Sequence, residues 1–251
     1  MDVTREQSRY FLKDLVRLTI DFGATDQGRG VEPPPLQKPV PSRAKRIDLA
    51  PVHGWKGVRS VDLTTAFARR ASVRKFLREP LTLDELSFLL WATQGIRSVA
   101  GPSTAFRTVP SAGCRHSFET YLCAMNVQGL EEGIYRYLPL GHRLLLVSAH
   151  DGLGPQVSRA ALGQTFVGRS AVTFVWTAIP SRMEWRYGLA AHKVIAIDAG
   201  HVCQNLYLAC AAITAGTCAV AAYHQQAMDE LLGVDGEEEF TIYLAPVGKT
   251  G

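Results

Sequence analysis

Arg69-Arg70-Ala71-Ser72-Val73-Arg74-Lys75-Phe76 is a basic stretch wedged between two helix signals, and its position between them sets the reading of the whole chain. Upstream, Asp62 to Arg69 reads as a short helix. Downstream, Thr82 with Glu85 three residues later makes a capping box, and Leu81 against Leu86 makes a hydrophobic staple. The second helix carries Leu86, Leu89 and Leu90 on one face and stops at Gly95. Arg70 to Pro80 is therefore a connector. In an extended connector, side chains alternate, so Arg70, Ser72 and Arg74 are expected on one side while Ala71 and Val73 face the protein. Two guanidinium forks and a hydroxyl on one side suit a phosphate, because charge-assisted and bidentate hydrogen bonds are the strong ones. Taken alone this is a weak signal, and on spacing Arg69, Arg70, Arg74 and Lys75 suit a solvated basic helix end better.

Working outward, Glu119 to Val127, Gly133 to Leu138 and Arg143 to Val147 read as strands of an antiparallel meander, with turns at Gln128-Gly129 and Pro139-Leu140-Gly141-His142. Gly152 to Leu162 is expected to be helical and Ala171 to Ile179 to be a strand. Ala190 to Ile213 reads as a long helix, apolar on most of its circumference, that needs cover on all sides. Thr217 to Tyr223 and Phe240 to Val247 read as buried strands, with a short helix from Gln226 to Leu232 between them. Helices and strands mix without strict alternation, which favours a layered α+β domain over a doubly wound one.

Before this domain, residues 1–60 read as an arm, and residues 61–251 as the compact unit. Gln7 to Phe22 has helical spacing of Phe11, Leu12, Leu15 and Leu18, and Pro33-Pro34-Pro35 with Pro39-Val40-Pro41 predicts an extended segment running over a surface. With 251 residues, 47% hydrophobic and 20% charged, the chain can bury a full core and does not suit the disordered class. No stretch is expected to supply the roughly 20 apolar residues of a bilayer span. The first residues lack the apolar region of a secretory signal, so the expected address is cytoplasmic. Cys114, Cys123, Cys203, Cys210 and Cys218 contain no C-x-x-C pair, which argues for reduced thiols over disulfides or zinc. The net charge of +4 is spread among acids and forms no stripe, so no nucleic-acid partner is expected. No histidine pair stands at ligand spacing, so no metal site is expected.

Three further places have chemical interest. Thr108-Val109-Pro110-Ser111-Ala112-Gly113 is a loop of small residues entering the meander, which allows backbone donors close to a planar ligand or simply opens a strand. Ala215-Gly216-Thr217 lies where the long helix hands over to a strand, a place where backbone N–H groups can point at a ligand or merely end a helix. Gly248-Lys249-Thr250 has the look of a phosphate loop but lacks its first glycine, and Gly152-Leu153-Gly154 lacks the third glycine of a dinucleotide fingerprint.

Together these pieces resemble the nitroreductase superfamily, and within it the SagB-type dehydrogenase group. The resemblance is carried by Arg69 to Phe76, Leu89-Leu90-Trp91-Ala92-Thr93-Gln94-Gly95-Ile96, Pro110-Ser111-Ala112-Gly113, Gly133-Ile134-Tyr135-Arg136-Tyr137 and Ala199-Gly200-His201-Val202-Cys203-Gln204-Asn205-Leu206, in order over residues 60 to 249. It implies an α+β fold with a mainly antiparallel central sheet flanked by helices, dimerising around long buried helices, with FMN in two clefts shared between subunits. Arg70 and Ser72 would then hold the phosphate and ribityl chain, Arg74 would lie by the pyrimidine edge, and Lys249 would add a phosphate contact. Pro110, Ser111 and Ala112 would come from the other subunit, and Ala215 and Gly216 would donate to the flavin N5. Many nitroreductases follow the Pro-Ser loop with Asn and Gln-Pro; here Cys114, His116 and Ser117 stand there. SagB-type azoline oxidases carry a Lys-Tyr pair where this chain has Arg186-Tyr187, and an arginine rarely gives up its proton. The implied activity is therefore hydride transfer from NADH or NADPH through FMN to a nitro, quinone or similar conjugated acceptor. The alternatives are azoline dehydrogenation in a ribosomal-peptide pathway, with Arg186 and Tyr187 as catalytic candidates, and a flavin-binding sensor or partner protein.

Overall fold

The computed structural model describes residues 4–251. Helix α1 (Arg5–Leu12) is capped by Thr4 and Gln7, but none of its residues is buried. The helix expected over Gln7 to Phe22 breaks at Lys13, whose backbone is extended, and resumes as a single-turn 3₁₀ segment at Leu15–Thr19. With no packed face, little sustains so short a helix beyond its cap. The proline segment then runs without helix or strand over the domain, and its carbonyls serve buried arginines. Arg107 donates to Leu36 O and Arg136 to Pro39 O at 3.0 and 2.7 Å. Strand β1 (Arg46–Asp48), which its charged sequence hides, adds to the sheet edge, and Trp55 donates to Ser87 Oγ at 2.9 Å.

Helix α2 (Leu63–Arg69) has Asp62 as N-cap, and α3 (Leu83–Gln94) has the expected Thr82/Glu85 box and ends at Gly95. A hairpin that the sequence reading passed over follows, β2 (Ile96–Gly101) and β3 (Thr104–Arg107), outside the main sheet. The meander is β4 (Phe118–Ala124), β5 (Gly133–Leu138) and β6 (Arg143–Ala149). Helices α4 (Leu153–Ala160) and α5 (Thr165–Gly168) lead to β7 (Val172–Ala178). Next come α6 (Ser181–Tyr187), the long α7 (Ala191–Cys210), β8 (Ala215–Thr217), α8 (Gln225–Leu232) and β9 (Phe240–Lys249). The strand expected over Thr217 to Tyr223 is shorter: Tyr207 Oη takes the Ala219 N–H at 2.8 Å, and the chain touches the sheet again only at Val220.

The sheet order is β1-β6-β5-β4-β7-β9-β8, antiparallel at every pairing. Strand alternation sends Phe174 and Trp176 to one face, where α3 and α7 lie with Leu86, Leu90, Ile195 and Leu206. Val175 goes to the other face, against Leu153, Val157, Met228 and Leu232 of α4 and α8. Helices thus flank a central antiparallel sheet on both faces, the expected α+β arrangement.

The continuous stretch Ser181–Ile213 is, by length and composition, apolar enough to cross a bilayer, contrary to the expectation from sequence. Its apolar residues Ile195, Val202 and Leu206 are spent on the core, while His192, Ala196, Ile197, Gly200, His201 and Gln204 form one exposed face.

Candidate functional site

The connector after α2 is laid on the sheet edge. Val73 N–H donates to Thr217 O at 2.9 Å, pinning the basic stretch beside β8. The approach is close enough to demand glycine: a Cβ on Gly216 would sit 2.7 Å from Val73 Cβ and 2.9 Å from Thr250 Cγ2. Between connector, β8 and the C-terminal end of α7 lies a cavity of about 520 Å³. Arg59, Arg69, Arg70 and Lys75 line it together with Ala215 and Gly216, and among the described residues no Asp or Glu side chain lines it. A cavity of this size lined by four basic side chains suits an anionic group such as a phosphate.

Arg70 and Ser72 converge as expected, and Tyr207 brings them together. The Arg70 guanidinium lies 5.5 Å from the Tyr207 ring centroid, and Ser72 Oγ is 3.0 Å from Tyr207 Oη. Arg74 does not join them. Its guanidinium is 5.9 Å from the ring of Phe166 on α5, so the connector's alternation fails after Ser72, with a cation–π contact as the alternative. Val73 packs on Gly216 as expected and also lines the cavity, whereas Ala71, expected to face the protein too, is exposed there. Lys249 is also committed elsewhere. Its ammonium pairs with Glu85 and donates to Ile213 O at 3.0 Å, and the residue is only 9% exposed.

Pro110, Ser111 and Ala112 lie far along α7 from this cavity. Ala112 N–H donates to Asp198 Oδ2 at 3.0 Å, and burial raises the Asp198 pKa despite hydrogen bonds from Ser111 and Ala112. From Asp198 to Cys210, which lines the cavity, is about 18 Å along the helix. Arg186 and Tyr187 belong to the loop's end of the molecule. A Cβ on Gly113 would strike Arg186 Cδ at 2.5 Å and Tyr187 Oη at 2.8 Å. The loop is conformationally unusual, with φ of +55° at Gly113, +59° at Cys114 and +47° at His116. His116 is held uncharged, its pKa lowered to about 3 by burial and then by Arg107.

Three residues of these two places escaped the sequence reading: Tyr207, Arg59 and Asp198. Asp198 had a signal, as the one acid in α7, and Tyr207 is that helix's one tyrosine. Arg59 had none.

The Nitroreductase family model matches residues 67–249, from the end of α2 to the last residue of β9. The chain belongs to the nitroreductase family. A nitroreductase homologue from Methanocaldococcus jannaschii is 32% identical over 192 residues, 76% of this chain and 93% of the relative. Among solved structures, a nitroreductase homologue from Ralstonia eutropha is similar at TM-score 0.68 and 27% identity, covering 87% of this chain and 98% of the other. A chain of the Escherichia coli microcin synthetase McbBCD complex, with truncated pro-MccB17 bound, shares the fold at TM-score 0.61 and 16% identity, covering 100% of this chain and 98% of that one. Membership makes the chain an oxidoreductase of a family that generally uses a flavin and NAD(P)H donors.

Proposed function

We propose that this protein is an FMN-dependent oxidoreductase that passes hydride from NADH or NADPH to a nitro, quinone or similar conjugated acceptor. The observation that carries the reading is the cationic cavity between the Arg70 connector and β8, lined by four basic side chains and by no Asp or Glu among the described residues. Arg70 and Ser72 would hold the phosphate end, with Tyr207 fixing both. Ala215 and Gly216 would present backbone donors, and Lys249 would reach the phosphate only by leaving Glu85. When bound, the isoalloxazine would supply the two-electron chemistry, and the chain's own groups would orient it and tune it electrostatically. Arg74 would reach the pyrimidine edge only by leaving Phe166.

The active form is proposed to be a homodimer in the cytoplasm. Pro110, Ser111 and Ala112 stand about 18 Å along α7 from the cavity that they are to complete. A second copy with α7 antiparallel would bring its own loop to the first copy's cavity. The exposed α7 face through Ile197 and Gly200 is where such a copy would sit. The purified chain is expected to show flavin absorbance that NADPH or NADH bleaches and that returns with a quinone or nitroarene. A chain that takes up no FMN on reconstitution would sink the reading. A sedimenting monomer with full turnover would sink the shared site.

A second reading, azoline dehydrogenation on a ribosomal peptide, draws support from Arg186 and Tyr187 lying against Gly113 of the loop. The fold likeness to the microcin synthetase chain, which extends over the whole sequence, is compatible with it. Turnover of an azoline peptide that Tyr187→Phe abolishes, with nitroarene turnover spared, would favour it. Flavin that NAD(P)H does not reduce would favour a sensor.

A further inference from the structure

Beside the Pro110 loop, under the β2–β3 hairpin, is a separate cavity of about 370 Å³ lined by Arg97, Arg107, Ser111, Cys114 and His116 among others. Cys114 is the one half-exposed cysteine; Cys123, Cys203, Cys210 and Cys218 are buried, and burial pushes the Cys123 and Cys203 thiols up to about 12. Its Sγ donates to Ala105 O at 3.1 Å and lies 3.6 Å from His116 Nε2.

The second observation is Arg107. It is 5% exposed, donates to Gln94 Oε1 and Leu36 O at 2.7 and 3.0 Å, and leaves Nε without a partner. Among the described residues no carboxylate pairs with it, because nearby Glu119 already serves Arg182 and Arg136. A buried guanidinium whose nearby carboxylate is shared with two other arginines is only partly compensated, and an anion arriving in the cavity relieves that cost. Arg97, whose Nε donates to Arg107 O at 3.1 Å, adds a second cation at the exposed side. The uncharged His116 adds neither charge nor competition.

We propose that this cavity is a covalent capture site, in which the Cys114 thiol adds to small acidic alkenes conjugated to a carbonyl, their carboxylate held by Arg97 and Arg107. In that step a C–S bond forms at the β-carbon and the alkene π pair moves to the carbonyl as an enolate. The thiol proton ends on the α-carbon. No oxidant or reductant is consumed. Conjugated carbonyl compounds are also the acceptors of the proposed reductase. Only the consequence that an adduct one residue past Gly113 blocks turnover rests on that reading.

The test uses the native full-length chain with N-ethylmaleimide and its anionic analogue maleimidoacetate, read by intact mass and peptide mapping. The expected result is one adduct per chain, at Cys114. The anionic-to-neutral rate ratio should exceed that of β-mercaptoethanol by about tenfold at low salt and fall as salt is added. Arg97→Gln, a surface change, should lower the ratio, and Cys114→Ala should remove the adduct while the melting temperature stays put. No adduct, an adduct at another cysteine, or a ratio equal to that of β-mercaptoethanol overturns the site. Mass labelling needs no flavin, so a chain that labels but binds no FMN fails the reductase reading alone.

Discussion

Glu85→Gln separates the structural load on Lys249 from its proposed part in holding a phosphate. Glu85 closes the α3 capping box through the Thr82 N–H at 2.9 Å, and glutamine can serve that position equally. The substitution therefore removes chiefly the charge opposite Lys249. Both side chains are almost wholly buried, at 6% and 11% exposure, so solvent does little to screen the pair. Removing one partner of such a pair costs about 3–5 kcal/mol, because the other is left as an uncompensated buried charge. For a chain of this size that is about 6–20 °C in melting temperature. Adding Lys249→Met to Glu85→Gln should recover most of the loss, since a neutral pair leaves no stranded cation. Calorimetry with and without FMN gives the second reading. At FMN near 100 times its Kd the wild type should gain about 2.7 kcal/mol, and Glu85→Gln should gain more at the same concentration because the freed ammonium can turn to the phosphate. An unchanged melting temperature in Glu85→Gln would refute the buried pair, and equal FMN gains would refute the reach of Lys249.

Gly216→Ala should lift the connector from β8, since its Cβ would lie 2.7 Å from Val73 Cβ; a loss of about 1–3 kcal/mol in denaturant unfolding and weaker flavin retention are expected. Arg70→Ala should release FMN on gel filtration far more readily than Arg74→Ala, because Arg70 lines the cavity and Arg74 lies on Phe166; equal losses would contradict the placement. His116 gives a pH signature. Its folded pKa of about 3 lies below the ordinary 6.5, so the unfolded chain binds the extra proton between those values. The stability due to its neutral burial is complete above pH 6.5 and is lost progressively as the pH falls toward 3. His116→Asn should flatten that part of the stability profile, measured by urea unfolding across the window.

What the sequence disclosed followed local rules. The Thr82/Glu85 box, the Gly95 stop, the meander turns and the apolar run of α7 are each written within a few residues, and each stands where the pattern predicts. The misses have physical causes. The β2–β3 hairpin has a largely solvent-facing first strand, so no alternation marks it, although Gly101-Pro102-Ser103 signals its turn. Strand β1 is three residues with two charges at a sheet edge, where backbone pairing and not side-chain pattern decides the structure.

The site was legible in its parts and not in its partition. Alternation predicted that Arg74 would stand with Arg70 and Ser72, but that rule ignores what lies beside the chain, and Phe166 offers the guanidinium a face. Lys249 meets Glu85 across 164 residues, a distance that no local reading spans. Asp198 matters most for the proposed dimeric site. This single acid in α7 ties the Pro110 loop to the middle of the helix, while the Arg70 connector is tied near its C-terminal end through Tyr207. The helix holds Asp198 and Tyr207 about 13 Å apart along its axis, and that spacing is the physical reason to look for the second half of the proposed site on a second copy.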